Sequence, residues 1–576
     1  MLLEDLPNEL FIEIIRCSST LDLLRSFYNL NLRINQLLFA HFRTSTIDFS
    51  SIALRDFRLV CREYLPLIVD QITSLRLSND DKTPQQMEVF LQHGLTLHQL
   101  SNLQSLSLYG ISLQETMFST ISQLRFLDRL TLADCSLSCN QNASQNFSNT
   151  IWSLPALTYC YLNISFKGDS FILPTVESLS LTCLSIWGIT YDQMQFNTIC
   201  RHTPCLERCS ILFNMDSSDP VDLFQHRFSS VTRFRLHLSH IGENHLECIL
   251  QTMLNLRQLI IDIDSLDSHS SSPIFNGSQW EMILRRRLPH LKVFRLRMKF
   301  YFPDEDDLDG QVADLLRSFR SPFWLEEHQW FVRCHWNGEG EASLYTLPYR
   351  YNDVWLDSST KFQSTCPNND HHWFHYHVNR LEYKSCPIRS EIPSVIRFRN
   401  VRDLWIDCSI PERCLSDICQ LNQVTALFLF TTSSTHADVE LQDLINRMPN
   451  LFSLGFHQFS IAGMQQPIFR LAHAKIRELD LRFISNFLTA DQCAALCRSP
   501  LGQQCEVLYI RIEKKSVVPE LIHNMANLRV LTILLEGNNS TGTYGDVIIQ
   551  WLREHLPPTC LINRDPEFRA EIHIWL

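Results

Sequence analysis

Along this chain one short pattern of apolar and polar positions recurs. In Val231-Thr-Arg233-Phe234-Arg235-Leu236-His237-Leu238, apolar side chains at Phe234, Leu236 and Leu238 alternate with Arg233, Arg235 and His237. A period of two predicts a strand with one face in a core and the other wet. The same L-x-x-L-x-L grammar appears in Leu103-Gln-Ser-Leu106-Ser-Leu108, Leu127-Asp-Arg-Leu130-Thr-Leu132, Val401-Arg-Asp-Leu404-Trp-Ile406, Ile476-Arg-Glu-Leu479-Asp-Leu481 and Leu528-Arg-Val-Leu531-Thr-Ile533. First positions fall at 72, 103, 127, 157, 181, 206, 231, 256 and 291, and resume at 378, 401, 424, 451, 476, 505 and 528. Most steps are about 23 to 31 residues, the period of a repeat array. At 176–189 two frames compete, and the one starting at Leu181 keeps the spacing even.

A second landmark supports the register. Leu154-Pro155-Ala156-Leu157, Thr203-Pro204-Cys205-Leu206, Leu288-Pro289-His290-Leu291 and Met448-Pro449-Asn450-Leu451 each place a helix-stopping proline just before a strand. Helical runs precede several of these turns, at His245–Leu254, Trp280–Leu288, Leu441–Met448, Asp491–Arg498 and Val547–His555. Each unit therefore reads as strand, loop, helix and turn. Ser/Asn-rich stretches at 138–150 and 264–278 read as polar loops.

Two regions depart from the rhythm. Residues 298–377 are aromatic and strand-like, with a turn signal at Asn337-Gly338. They read as irregular β-rich turns of the same array or as a small inserted β-subdomain. The first fifty residues are helical instead: Leu6, Leu10 and Ile14 share a face, Thr20 is placed to cap a second helix, and a third run spans Leu32 to Phe39. The resulting division is 1–45 helical module, 46–71 linker helix or first cap, 72–297 repeats, 298–377 irregular turns, and 378–576 repeats with a C-terminal cap.

Composition narrows the function classes. The 576 residues are 45% hydrophobic and 19% charged, with a formal charge of −12, which argues against general nucleic-acid affinity. No run approaches the roughly 18 apolar residues of a membrane span, and Met1–Pro7 lacks a basic leader region. The 20 cysteines then read as reduced thiols of an intracellular protein, in cytoplasm or nucleus. No phosphate-binding G-x-x-x-x-G-K, no G-x-S-x-G and no C-x-x-C occurs, so no catalytic role, zinc ligase module or cofactor is expected. A Cys366, His371, His372, His375, His377 cluster is either a metal site or a polar aromatic loop. Its lack of a fixed ligand spacing favours the loop, and no metal is assigned.

Leu6-Pro7, Glu9-Leu10, Ile14-Ile15 and Leu23-Leu24 resemble the F-box, a trihelical motif, here ahead of units that resemble the leucine-rich repeats of the same family. The resemblance implies an α/β chain: a trihelical F-box, then a leucine-rich-repeat solenoid, or horseshoe, with parallel inner strands and outer helices. It further implies a non-catalytic substrate receptor of an SCF-type ubiquitin ligase, docking a Skp1-like adaptor and its cullin complex through Leu6, Pro7, Leu10, Ile14, Ile15, Leu23 and Leu24. The third helix carries Leu32-Arg33-Ile34-Asn35 where the family commonly has tryptophan. Two alternatives stay open. One is a repeat scaffold without a ligase role, its N-terminal helices a cap, and the other is an enzyme housed in 298–377.

The wet strand face supplies the target-binding candidates. Arg208, Arg233, Arg235, Arg295 and Arg297 fall on it, either as solvated charges or as a site for an acidic or phosphorylated peptide. Farther along, Trp405, Phe428 and Phe430 offer apolar anchors for the target protein.

Overall fold

The computed structural model describes residues 6–137, 141–166, 173–191, 193–213, 228–238, 243–264, 275–302, 307–357, 359–367, 375–384, 397–407, 415, 419–430, 437–457, 467–536, 542–565 and 570–576. The chain is mixed α/β with parallel strands, and it divides into two compact units. One is Met1–Ile263 with Ile283–Val293, and the other is Asp264–Met282 with Phe294–Leu576. No helix among the described residues is long and apolar enough to cross a membrane.

The first unit opens with three helices, Asn8–Cys17, Thr20–Ser26 and Leu32–Thr44. Pro7 sits at the first N-cap. Ser19, not the expected Thr20, caps the second helix, its Oγ accepting from Asp22 N at 3.2 Å. Asn31 Oδ1 does the same for Ile34 N at 2.9 Å. Phe11, Ile15, Leu23, Leu24, Ile34, Leu38 and Phe42 close the interior. The inward face of the first helix is thus Phe11 and Ile15, while Leu10 points outward.

Residues 46–71 are not simply a linker helix. Ile47–Asp48 is a strand paired in parallel with Ser74–Ser78, and helices from Leu54 to Gln71 follow it. Every later unit then delivers its strand two residues after its first position: Ser105–Tyr109, Arg129–Leu137, Tyr159–Phe166, Cys183–Tyr191, Arg208–Phe213, Arg233–Leu238 and Gln258–Asp264. The offset has a local cause. The first-position apolar side chain is buried below the turn, and the two N–H groups after it both donate to one carbonyl of the preceding unit. Gln104 and Ser105 donate to Thr73 O, and Thr232 and Arg233 to Glu207 O. The strand beginning at Cys183 settles the competing frames in favour of Leu181. Leu106, Leu130, Cys160, Leu184, Cys209, Phe234 and Leu259 oppose one another strand to strand in one buried row. Each such side chain stabilises by about 1.5–3 kcal/mol.

One expected loop is a helix. The helix Gln141–Trp152 overlaps the Ser/Asn-rich stretch, and its Ala143, Phe147 and Ile151 are buried at a helical spacing of four. The stretch 265–274, within the second expected loop, lies outside the described residues.

In the second unit, the described part of 298–377 is chiefly an antiparallel sheet, in contrast to the parallel strands of the repeats. Val293–Tyr301, Glu341–Thr346, Val332–Trp336 and Lys361–Ser364 pair antiparallel in that order, with Asn337-Gly338 at the hairpin. Behind it Trp280, Phe294, Trp324 and Trp330 interlock with ring centroids 5.5–6.2 Å apart. Asp353–Asp357 then starts a parallel series through Arg380–Lys384, Asp403–Asp407, Ala426–Phe430, Ser453–His457, Glu478–Phe483, Val507–Ile512 and Val530–Leu535. The series closes with antiparallel Glu571–Trp575 and Leu561–Arg564.

Candidate functional site

The predicted arginines divide between the two units. In the first unit Arg208 and Arg233 stand directly opposite on neighbouring strands, both exposed. Arg235, also exposed, extends toward Trp187, its guanidinium 5.6 Å from the ring centroid. Trp187 meets His237 edge-on at 5.3 Å, and His237 Nδ1 lies 3.1 Å from the buried Asp262 carboxylate. Arg295 and Arg297 belong to the second unit and are already engaged. Arg295 Nη1 donates to Leu347 O at 3.0 Å. Arg297 is only 6% exposed, donates to both carboxylate oxygens of Asp353 at 3.0 and 3.1 Å, and lies over Tyr351 at 4.1 Å. Arg297 therefore ties the antiparallel sheet to the first parallel strand and is not a free anion contact.

The apolar anchors do come together. Trp405 and Phe428 occupy paired positions and stack at 4.2 Å with 13° between planes. Phe430 stands 5.8 Å from Trp405, and the row continues through His457 to Phe483. Two details fix this platform. Trp405 Nε1 donates to Asp403 Oδ1 at 2.8 Å, and the guanidinium of Arg380 covers the indole at 4.6 Å. On the next strand Gly455 lies opposite Phe428, with no side chain to displace the ring.

Beside the platform the second unit holds a cavity of about 500 Å³ between the antiparallel sheet and the first parallel strands. Alternation puts Lys299, Ser343, Glu341 and His335 on one sheet face, and Asp353, Trp355, Arg380, Glu382 and Lys384 supply the opposite wall. Arg380 and Lys384 join cavity to platform, since Lys384 Nζ lies 5.5 Å from Trp355 and 5.7 Å from Phe430.

Every cation in this wall has a carboxylate. Besides Arg297 with Asp353, Lys299 Nζ is 3.1 Å from Asp264, Lys384 Nζ 3.2 Å from Glu382, and Arg380 Nε 3.9 Å from Asp403. Glu341 has no ion-pair partner among the described residues. Burial pushes its carboxyl up to about 7, against the pull of Lys299 and with the repulsion of Asp357. Two buried polar groups beside it are also unanswered. Asn337 Oδ1 accepts from the N–H groups of Glu339 and Glu341 at 3.1 and 3.0 Å, and its Nδ2 has no partner among the described residues. His335 is buried, with its pKa lowered to about 3 by desolvation and by Lys299, Arg333 and Arg297, and its Nδ1 is likewise unpartnered.

Among the described residues, the members of the histidine cluster have separate surroundings. His371 and His372 lie outside the described residues. His375 is not on a strand beside His377. It is buried among Tyr345, Tyr349 and Phe398, with Tyr345 Oη 3.2 Å from its Nε2. Desolvation holds its pKa at about 3. His377 contacts Arg350, and Cys366 is buried.

In the N-terminal module Ile15, Leu23 and Leu24 are each 1% exposed and hold the fold from inside, so a partner cannot reach them directly. Leu6 and Ile14 are half-buried and Pro7 is exposed. Leu10, Leu30 and Leu32 are 54%, 52% and 76% exposed. Leu30 and Leu32 were not among the adaptor-binding candidates, nor were Glu341, His335 and Asn337 among the target-binding ones. For the last three the available signal was alternation running through the Asn337-Gly338 hairpin. Comparison of the chain with protein-family models gave no match, and comparison with curated proteins gave none either.

Proposed function

We propose that this chain is a non-catalytic recognition subunit of an SCF-type ubiquitin ligase, its trihelical module docking a Skp1-like adaptor and its leucine-rich-repeat strand face holding a target protein. The observation that carries this reading is the exposure of Leu10, Leu30 and Leu32 on a module whose interior is already filled. Large apolar side chains left exposed on so small a module suit a surface that a partner covers. Catalysis would then be proximity: the receptor raises the concentration of a target lysine near a ubiquitin-loaded enzyme. The aromatic platform beside paired charges supports a protein target, since buried aromatic anchors dominate such interfaces.

Co-purification with Skp1 tests this directly. Leu10→Asp and Leu32→Asp should abolish adaptor capture and leave the melting curve unchanged, because both side chains are exposed. Equal capture by the variants would refute the docking face. A scaffold without a ligase role is favoured by a separate observation: Arg25 Nη2 lies 2.5 Å from Asp56, and Tyr28 meets Tyr64 edge-on at 6.0 Å. These contacts bind the module to the helices that follow, as a cap would be bound. Under that reading the intact chain ignores Skp1, and deleting residues 1–45 destabilises the first unit.

A further inference from the structure

The cavity of the second unit presents an unusual set of unmet demands. Its four cations are each answered by a carboxylate, so an incoming phosphate or carboxylate would have to break an existing pair. The charge without a partner is negative, at Glu341. The same cavity is lined by Asn337 and His335, whose buried amide donor Nδ2 and imidazole Nδ1 have no partner among the described residues, and a buried polar group left unanswered is costly. Asn337 is 3% exposed and His335 7%, and both line the cavity.

We propose that this cavity receives the amino terminus of a target polypeptide, its ammonium held by Glu341 and its first peptide carbonyl accepting from Asn337 Nδ2. The inference rests on the reading of this strand face as a target-recognition surface and is independent of adaptor docking. A lysine or arginine side chain would satisfy Glu341 but bring no acceptor for Asn337. A carboxy terminus would set a second carboxylate against Glu341. An amino terminus brings the cation, an acceptor and then an N–H for His335 Nδ1 in a fixed order along the chain. The cavity has room for the first residue or two, and Arg380 and Lys384 lead from it to Trp405, Phe428 and Phe430, where later side chains would lie.

The test uses the full-length chain without adaptor, so that loss of adaptor binding cannot be mistaken for failure here. It is presented with an array of synthetic peptides randomised at the first three positions, each made with a free and an Nα-acetylated amino terminus. Free-amine peptides should be captured, and acetylation should weaken them by about 10- to 100-fold, the worth of a charge-assisted hydrogen bond. Glu341→Gln should weaken the free-amine peptides to the level of the acetylated ones. Affinity should rise with pH through 7, as Glu341 ionises, and fall again above about 8, where the α-amine loses its charge. Equal capture of acetylated peptides, or undiminished capture by Glu341→Gln, overturns the proposal. So does capture that follows internal lysines regardless of acetylation. Spermidine serves as the small-amine arm: displacement of bound peptide at comparable concentration would make a free amine the occupant and overturn the polypeptide assignment.

Discussion

Gly455 offers a sharp test of the aromatic platform. A β-carbon added there would lie 2.4 Å from both Cδ1 and Cε1 of Phe428, against an ordinary carbon contact of about 3.5–4.0 Å. The Phe428 ring would have to retreat by more than about 1 Å. It cannot do so and keep its 4.2 Å stack on Trp405, because the indole is fixed by its bond to Asp403. Loss of the stack costs about 0.5–1.5 kcal/mol, and overpacking adds about 1 kcal/mol or more. The strand backbone at 455 suits alanine, which returns about 0.5–1 kcal/mol. Gly455→Ala should therefore destabilise by about 1–2 kcal/mol in the native background and be neutral or stabilising when Phe428 is already alanine. A long array need not unfold in one step, so the cycle is best read locally, from amide exchange of Ser453–His457 alongside the urea midpoint. The same cost in both backgrounds would show that Phe428 is not what Gly455 accommodates.

Glu341 should make stability depend on pH. Its folded pKa, about 7, lies above the ordinary 4.5, so the folded chain holds that proton more tightly. Its stabilising contribution is full below about pH 4.5 and is lost as pH rises through 7; Glu341→Gln should be the more stable protein at pH 8 in thermal melts, with the difference gone at pH 4. Arg233→Glu replaces a like-charge pair with Arg208 by an opposite one, and should leave stability unchanged or raise it by about 0.2–1 kcal/mol in denaturant titration. If that face holds an acidic target, pull-down recovery should fall at the same time. Phe147→Ala, in the helix within the polar stretch, should cost about 3–5 kcal/mol and open that segment to limited proteolysis.

The parallel strands were legible because their evidence is local. Alternation of two fixes which residues are buried, and the buried first-position residue with its two donated N–H groups fixes where each strand starts. The helix Gln141–Trp152 was obscured by its serines and asparagines, although Ala143, Phe147 and Ile151 carried the helical period. The antiparallel sheet was hidden for a different reason. Strand periodicity assigns a residue to a face but not to a covering partner. Arg297 has the same sequence signature as exposed Arg233, yet Asp353, 56 residues on, claims it. The cavity followed the same logic: Glu341 reads as a polar strand residue until the opposite wall is in place.

The antiparallel closure by Glu571–Trp575 and Leu561–Arg564 also governs how the second unit may be cut. Without it Val530–Leu535, written Val-Leu-Thr-Ile-Leu-Leu, would become a bare apolar edge with unpaired N–H and C=O groups. That is the type of strand that recruits another chain. With the closure in place, the sheet instead ends on the four residues Leu561–Arg564, short and bearing Asn563 and Arg564. A fragment of the second unit that stops before residue 561 should therefore self-associate, while one that retains both closing strands should stay dispersed.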